Sequence, residues 1–283
     1  MLFRSGICHH SRECENYIKQ CGNCFYLQSS NKRDLSTSVF LKKKELYQDA
    51  DITFVGCSKW LANRANKSLL LKNKSVIDIP NPLDLSVFRE LDRSSCRKEF
   101  HLPKDKHLIL FGALNVTDSR KGVDYLLRAL SLLKDKNVEL VVFGQVKNEI
   151  KDLLPVPIHS MGYLSDEDQI AKLYNAVDMF VTSSLEENLP NTIMEAMACG
   201  TPCVGFKIGG IPEMIDHMLN GYVAEYMSAD DLAHGIRWVL DYSDKKSLAD
   251  ACVRKVQETY AEDIIADRYK KLYQQLIVNN SKR

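Results

Sequence analysis

Short apolar runs alternate with helix-forming stretches along most of this chain, and that alternation leaves few folds open. Residues 51–55 and 75–79 read as strands on either side of a helix that starts at Ser58 and runs to about residue 70. Residues 107–112 and 138–144 are apolar runs that each end in glycine, followed by shorter strand-like runs at 158–163, 178–182, 202–206 and 221–224. Helical stretches separate them at 123–133, 165–176, 191–199 and 210–218, and two more close the chain at 229–242 and 245–275. Strands that alternate with helices need crossover connections, which make the sheet parallel and put helices on its faces. On 123–133, Leu126, Leu127, Leu130 and Leu133 share one face, as a helix packed on a sheet requires. Asp34 or Ser36 caps a helix over 34–47, and Ser165 with Asp168 three residues on forms a capping box for 165–176. The expected fold class is α/β, with a complete, doubly wound, Rossmann-like domain at 91–283 and a smaller α/β domain at 1–90. The turn 79–84, which holds Pro80 and Pro82, ends the first of them.

Composition excludes several classes. A formal charge of +1 over 283 residues supplies no field for nucleic acid, and the run Lys42-Lys-Lys44 reads as a solvated helix face. No apolar run approaches the ~20 residues of a membrane span, and the start Met1-Leu-Phe-Arg-Ser5 is too short for a secretory core. The expected compartment is the cytoplasm.

The chemistry concentrates between Ser184 and Pro202. Glu187 and Glu195 have seven residues between them, across a loop-to-helix junction. Pro190 suits a first helical turn, 191–199 holds good helix formers, and Gly200 supplies the stop before Thr201-Pro202. Free amides at such a helix start favour phosphate, whereas carboxylates nearby suit sugar hydroxyls. A helix N-terminus for a diphosphate and carboxylates for sugars together describe a nucleotide-sugar site.

These residues resemble the retaining glycosyltransferases of family 4, which have the two-domain GT-B fold. The resemblance rests on Glu187, Glu195, Ala196-Met-Ala-Cys-Gly-Thr-Pro202 and Gly209-Gly-Ile-Pro-Glu213, and it covers nearly the whole chain. It implies transfer of a sugar from a UDP- or GDP-sugar to a glycan or lipid-linked acceptor, in surface polysaccharide or glycolipid synthesis. It assigns Lys121, just before Gly122, to the donor diphosphate, beside the helix amides that run from Asn191 through Thr192 to Ile193. Glu195 would take the ribose hydroxyls, Glu187 the donor sugar near the reaction centre, and the backbone around Gly162 the base. Glu186 is adjacent to Glu187, and the spacing to Glu195 favours Glu187. Gly209 and Gly210 would allow close backbone approach in the neighbouring loop. One position departs from the family: an arginine usually follows the glycine that ends the 107–112 strand, and here Ala113 stands there. The expectation is that Arg120 reaches the same phosphate from a longer loop.

The resemblance implies no catalytic cofactor or divalent metal; Asp166-Glu-Asp168 spells a DxD but stands at a helix start, where capping explains it. It also implies that the first domain lacks its opening strands, a glycine-rich loop and a histidine, which His9 and His10 do not match. The expected consequences are nucleotide binding with slow or absent transfer, and apolar edges that favour a dimer or a peripheral membrane contact. Cys8, Cys14, Cys21 and Cys24 cluster in the first domain, and the Cys21-Gly-Asn-Cys24 turn suits a structural zinc. Four reduced thiols explain the cluster equally well. Two readings outside this activity remain open: a non-catalytic nucleotide-sugar-binding remnant, and, more weakly, an epimerase or phosphorylase of the same fold.

Overall fold

The computed structural model describes all residues except 1, 7, 9–13, 116–117, 136, 146–154 and 282–283. The chain divides into two compact units, Met1–Ile79 and Pro80–Arg283.

In the second unit, β3 (His107–Asn115), β4 (Val138–Gln145), β5 (Ile158–Gly162), β6 (Met179–Thr182), β7 (Cys203–Phe206) and β8 (Gly221–Ala224) form one six-stranded sheet in the order β5-β4-β3-β6-β7-β8. Every pairing is parallel. The central strands β3, β6 and β7 are buried on both sides because both faces of the sheet are covered there. Along β3, Leu108 and Leu110 enter one core with Phe180, Ile193, Met197 and Val256, while Ile109 and Phe111 enter another with Leu126, Leu130, Val204 and Ile236. Side chains that alternate across a strand thus feed two cores, and both ends of the alternation are buried. The order reverses direction between β3 and β6, the switch point at which doubly wound sheets open a crevice beyond their strand ends.

The helices are α3 (Arg93–Glu99), α4 (Val123–Leu133), α5 (Glu167–Ala176), α6 (Asn191–Ala198), α7 (Ile211–Met214), α8 (Ala229–Asp241), α9 (Lys245–Thr259) and α10 (Glu262–Asn280). Several differ from expectation. Asp166, not Ser165, caps α5 by accepting from the Asp168 amide. The expected helix at 210–218 is the four-residue α7, which ends where Ile215 turns extended and Met218 takes a positive φ of 62°. The expected helix at 245–275 is two helices, broken at Tyr260–Ala261, where the Tyr260 carbonyl accepts from the Leu83 amide at 2.8 Å and Ala261 bridges Leu83. Residues 80–90 accordingly belong with the second unit rather than the first: Leu83 and Phe88 are buried in its core, and the Leu91 amide donates to Asn175.

Helix α3, which sequence patterning missed, carries Arg97 into the interior. Arg97 is 5% exposed; its Nε donates to the Ala176 carbonyl, its Nη1 to those of Pro103, Lys104 and Lys106, and its Nη2 to Asp178 at 2.9 Å. Asp178 also accepts from the Leu108 amide, which pins β3 to the start of β6.

In the first unit, β1 (Thr53–Gly56) and β2 (Ser75–Asp78) pair in parallel, with α1 (Leu35–Gln48) and α2 (Lys59–Asn66) beside them. Asp34 caps α1 and Ser58 caps α2. Helix α2 ends short of residue 70, and a separate 3-10 turn follows at Leu69–Leu71 under its own cap, Ser68. Phe3, Tyr17, Phe40, Phe54, Leu70 and Leu71 form the core. Cys8 and Cys21 are buried, Cys14 and Cys24 half-buried, and all four are free thiols. Burial pushes the Cys21 thiol above its ordinary pKa. Among the described residues, no group of three or more His, Cys, Asp or Glu is placed to hold a metal ion; His9 and His10 lie outside the described residues. No helix among the described residues is long and apolar enough to cross a membrane.

Candidate active site

The switch point brings two sequence-distant segments together. Beyond β3, Asp118 caps a single 3-10 turn, Ser119–Lys121, which Gly122 ends in the left-handed conformation. Beyond β6, residues 183–190 run out to the start of α6. The Leu185 amide donates to the Arg120 carbonyl at 2.7 Å, and Ser183 Oγ donates to the Lys121 carbonyl at 2.9 Å. A Cβ on Gly122 would stand 2.1 Å from the Ser183 carbonyl oxygen, so only glycine allows the two segments to close this far.

Gly209 acts the same way from the opposite side. It has φ of +60°, and a Cβ there would lie 2.2 Å from the Glu187 carbonyl oxygen. The Gly210 amide donates to the Asn188 carbonyl. The loop carrying Glu186, Glu187 and Asn188 is thus held between the Lys121 turn and the Gly209–Gly210 turn. Tyr226 adds a hydroxyl bond to the Leu185 carbonyl.

Within this clamp the Lys121 ammonium meets the Glu187 carboxylate at 3.2 Å, with the two side chains 34% and 19% exposed. Both remain reachable from solvent, so the pair can open when another anion competes for the ammonium. Arg120 does not join them. Its guanidinium folds back on Asp118, with Nη2 2.7 Å from Oδ2, and this contact raises the arginine pKa and lowers that of Asp118.

Helix α6 starts at Asn191 after Pro190, with Asn191 exposed and Thr192 half-buried. Asn191 Oδ1 accepts from Asn81 at 3.4 Å. Glu195 follows one turn inside the helix, half-buried, and burial raises its pKa. Its Oε2 accepts from the Tyr174 hydroxyl at 2.9 Å. Gly162 ends β5, two strands from β3, in a positive-φ conformation with open space where a side chain would stand.

Sequence reasoning missed Asp118, Ser183, Tyr174 and Asn188. Asp118 carried a local signal, an Asx turn into Ser119-Arg120, whereas Tyr174 lies 21 positions before the carboxylate it touches and carried none.

Residues 105–242 match the model of a family described as glycosyl transferases group 1. Among similar proteins, an uncharacterized glycosyltransferase of Methanocaldococcus jannaschii is 29% identical over 205 residues, 69% of this chain and 51% of that protein. The N-acetyl-alpha-D-glucosaminyl L-malate synthase of Bacillus anthracis is 25% identical over 217 residues, 72% of this chain and 55% of that one. The chain spans about half the length of these relatives. Among solved structures, Anabaena HepE in complex with UDP and glucose superposes with a TM-score of 0.69 at 18% identity, over 83% of this chain and 66% of that chain. The parallel sheet matched by such structures gives the second unit a GT-B-like α/β fold, and its central part, residues 105–242, is similar to the glycosyl transferases group 1 family.

Proposed function

We propose that the second unit is the donor-binding part of a retaining, family 4 type glycosyltransferase, which moves a sugar from a UDP- or GDP-sugar to a glycan or lipid-linked acceptor. The observation that carries this reading is the Lys121–Glu187 pair at the switch point, next to the start of α6. Departure of a nucleoside diphosphate leaves negative charge on the terminal phosphate while the anomeric carbon becomes oxocarbenium-like. A fixed ammonium and the first amides of a helix stabilise such charge without reorganising. Lys121 exchanges its bond to Glu187 for the phosphate; Glu187, released, accepts from a donor-sugar hydroxyl beside the reacting carbon. Glu195 accepts from the ribose. HepE, whose structure holds UDP and glucose, supports a nucleotide of this kind. A role in surface polysaccharide synthesis is part of the proposal.

A binding-only reading has one observation in its favour: Ala113 stands where an arginine is expected, and the Arg120 guanidinium is committed to Asp118. Calorimetric titration with UDP, GDP and ADP tests the donor site, and release of free sugar from the matching nucleotide sugar separates the two readings. One nucleotide binds, and Lys121→Ala weakens it at least tenfold, roughly the loss of a charged hydrogen bond. No binding by folded protein would refute the donor site. Binding with no sugar release would leave the binding-only reading.

A further inference from the structure

Tyr174 has no assigned role, yet it is fully buried and its hydroxyl points at the site. Its ring is held edge-on by Phe143 and Phe180, with centroids 6.3 Å and 5.8 Å away and planes near perpendicular. Phe143 lies over Gly112, in the space a side chain there would need: a Cβ would lie 2.1 Å from the ring. Thr201 Oγ1 donates to the Tyr174 carbonyl at 2.8 Å, which ties the end of α5 to the turn after α6. The ring is fully buried between these contacts, and its hydroxyl ends 2.9 Å from Glu195 Oε2.

We propose that Tyr174 is a positioning residue of the donor site: its hydroxyl holds one oxygen of Glu195 and thereby fixes the other towards the ribose hydroxyls. Glu195 Oε1 has no hydrogen-bond partner among the described residues. A carboxylate gripped at one oxygen presents a directed acceptor at the other, whereas an ungripped side chain would sample several rotamers before binding. The hydroxyl also opposes the effect of burial on Glu195, which favours the uncharged acid. Burial keeps Tyr174 protonated, so it remains a donor at every physiological pH.

This inference rests on the donor-site reading of Glu195, and the test keeps the two apart. The full chain is titrated with UDP and with its dideoxyribose counterpart, which lacks both ribose hydroxyls. The same is done for Tyr174→Phe, which keeps the ring, for Glu195→Gln, and for the double variant. The unsubstituted protein prefers UDP by roughly tenfold. Tyr174→Phe lowers that preference to about twofold with its melting transition retained, and adds nothing further in the Glu195→Gln background, as coupled residues require. If Tyr174→Phe keeps the full preference, the positioning role is refuted and the donor site stands. If the unsubstituted protein binds both probes equally, or neither, the donor-site reading of Glu195 falls, and the positioning role with it. Should the variant not fold, isotope-labelled tyrosine ring signals of the unsubstituted protein decide. The Tyr174 signal shifts on saturation with UDP and not with the dideoxy probe; an unmoved signal overturns the proposal.

Discussion

Among the described residues each unit buries one arginine, and the two are treated in opposite ways. In the second unit the Arg97 guanidinium is surrounded by four carbonyl oxygens and the Asp178 carboxylate. In the first unit Arg4 is 2% exposed, yet its Nε and Nη1 have no hydrogen-bond partner among the described residues. It lies instead over aromatic faces, with its guanidinium carbon 4.4 Å from the Tyr17 ring centroid and 4.9 Å from that of Phe3. A buried charge is costly unless paired, so Arg97 marks a unit whose polar groups are closed among themselves. Arg4 marks one in which ring faces stand in for acceptors. The sheets follow the same division: six strands covered on both faces in the second unit, and a two-stranded pair in the first, a size that is marginal by itself.

Arg97→Met should have the largest effect. It leaves several carbonyls without their donor, takes one of three donors from Asp178, which keeps Arg93 and the Leu108 amide, and lowers the stability of the second unit by about 3 kcal/mol, read by chemical denaturation. A loss under ~1 kcal/mol would show that the network adds little, and the contrast would collapse. Gly122→Ala comes next, at roughly 2 kcal/mol or more, since both its φ of 59° and the Ser183 carbonyl oppose a Cβ. Nucleotide affinity should fall with it, because Lys121 and Glu187 depend on that approach.

In the first unit, Asp34→Ala is expected to act mainly on acid sensitivity. Hydrogen bonds from Ser36, and from the Cys24 and Thr37 amides, hold the Asp34 carboxyl at about 2, below its unfolded 3.8. A depressed pKa contributes stability that is complete above the unfolded value and is lost as pH falls through 3.8 towards about 2. The unsubstituted first unit therefore loosens over that window, and the variant, already weaker at neutral pH, shows less further loss there; circular dichroism against pH reads both. The smallest effect is expected for Arg4→Met, within about 1 kcal/mol in either direction, as a hydrophobic replacement that keeps a side chain against the Tyr17 and Phe3 rings. A loss as large as that of Arg97→Met would mean that ring faces satisfy a buried guanidinium as fully as carbonyls do.

The parts of the molecule written locally could be read from sequence. Apolar runs ending in glycine became β3 and β4, Asp34 did cap α1, and Gly200 did end the turn after α6 in a left-handed conformation. The parts that depend on distant partners could not. The break at Tyr260–Ala261 exists because Leu83 docks there, and no local residue announces it. Arg97, in a polar stretch that reads as surface, is buried by carbonyls and a carboxylate up to 81 positions away. At the candidate site, sequence motifs singled out Lys121, Glu187 and Glu195, while the contacts that hold them came only from the structure. Arg120 shows the limit from the other side: its sequence position suits a phosphate ligand, and Asp118 two residues earlier claims it.

The most direct test of the donor site is a crystal structure of the full chain with UDP. An ammonium that serves the diphosphate will have left Glu187, with Lys121 Nζ about 3 Å from a terminal phosphate oxygen at the head of α6 and the ribose against Glu195. UDP bound elsewhere, with the Lys121–Glu187 pair still closed at 3.2 Å, would contradict it.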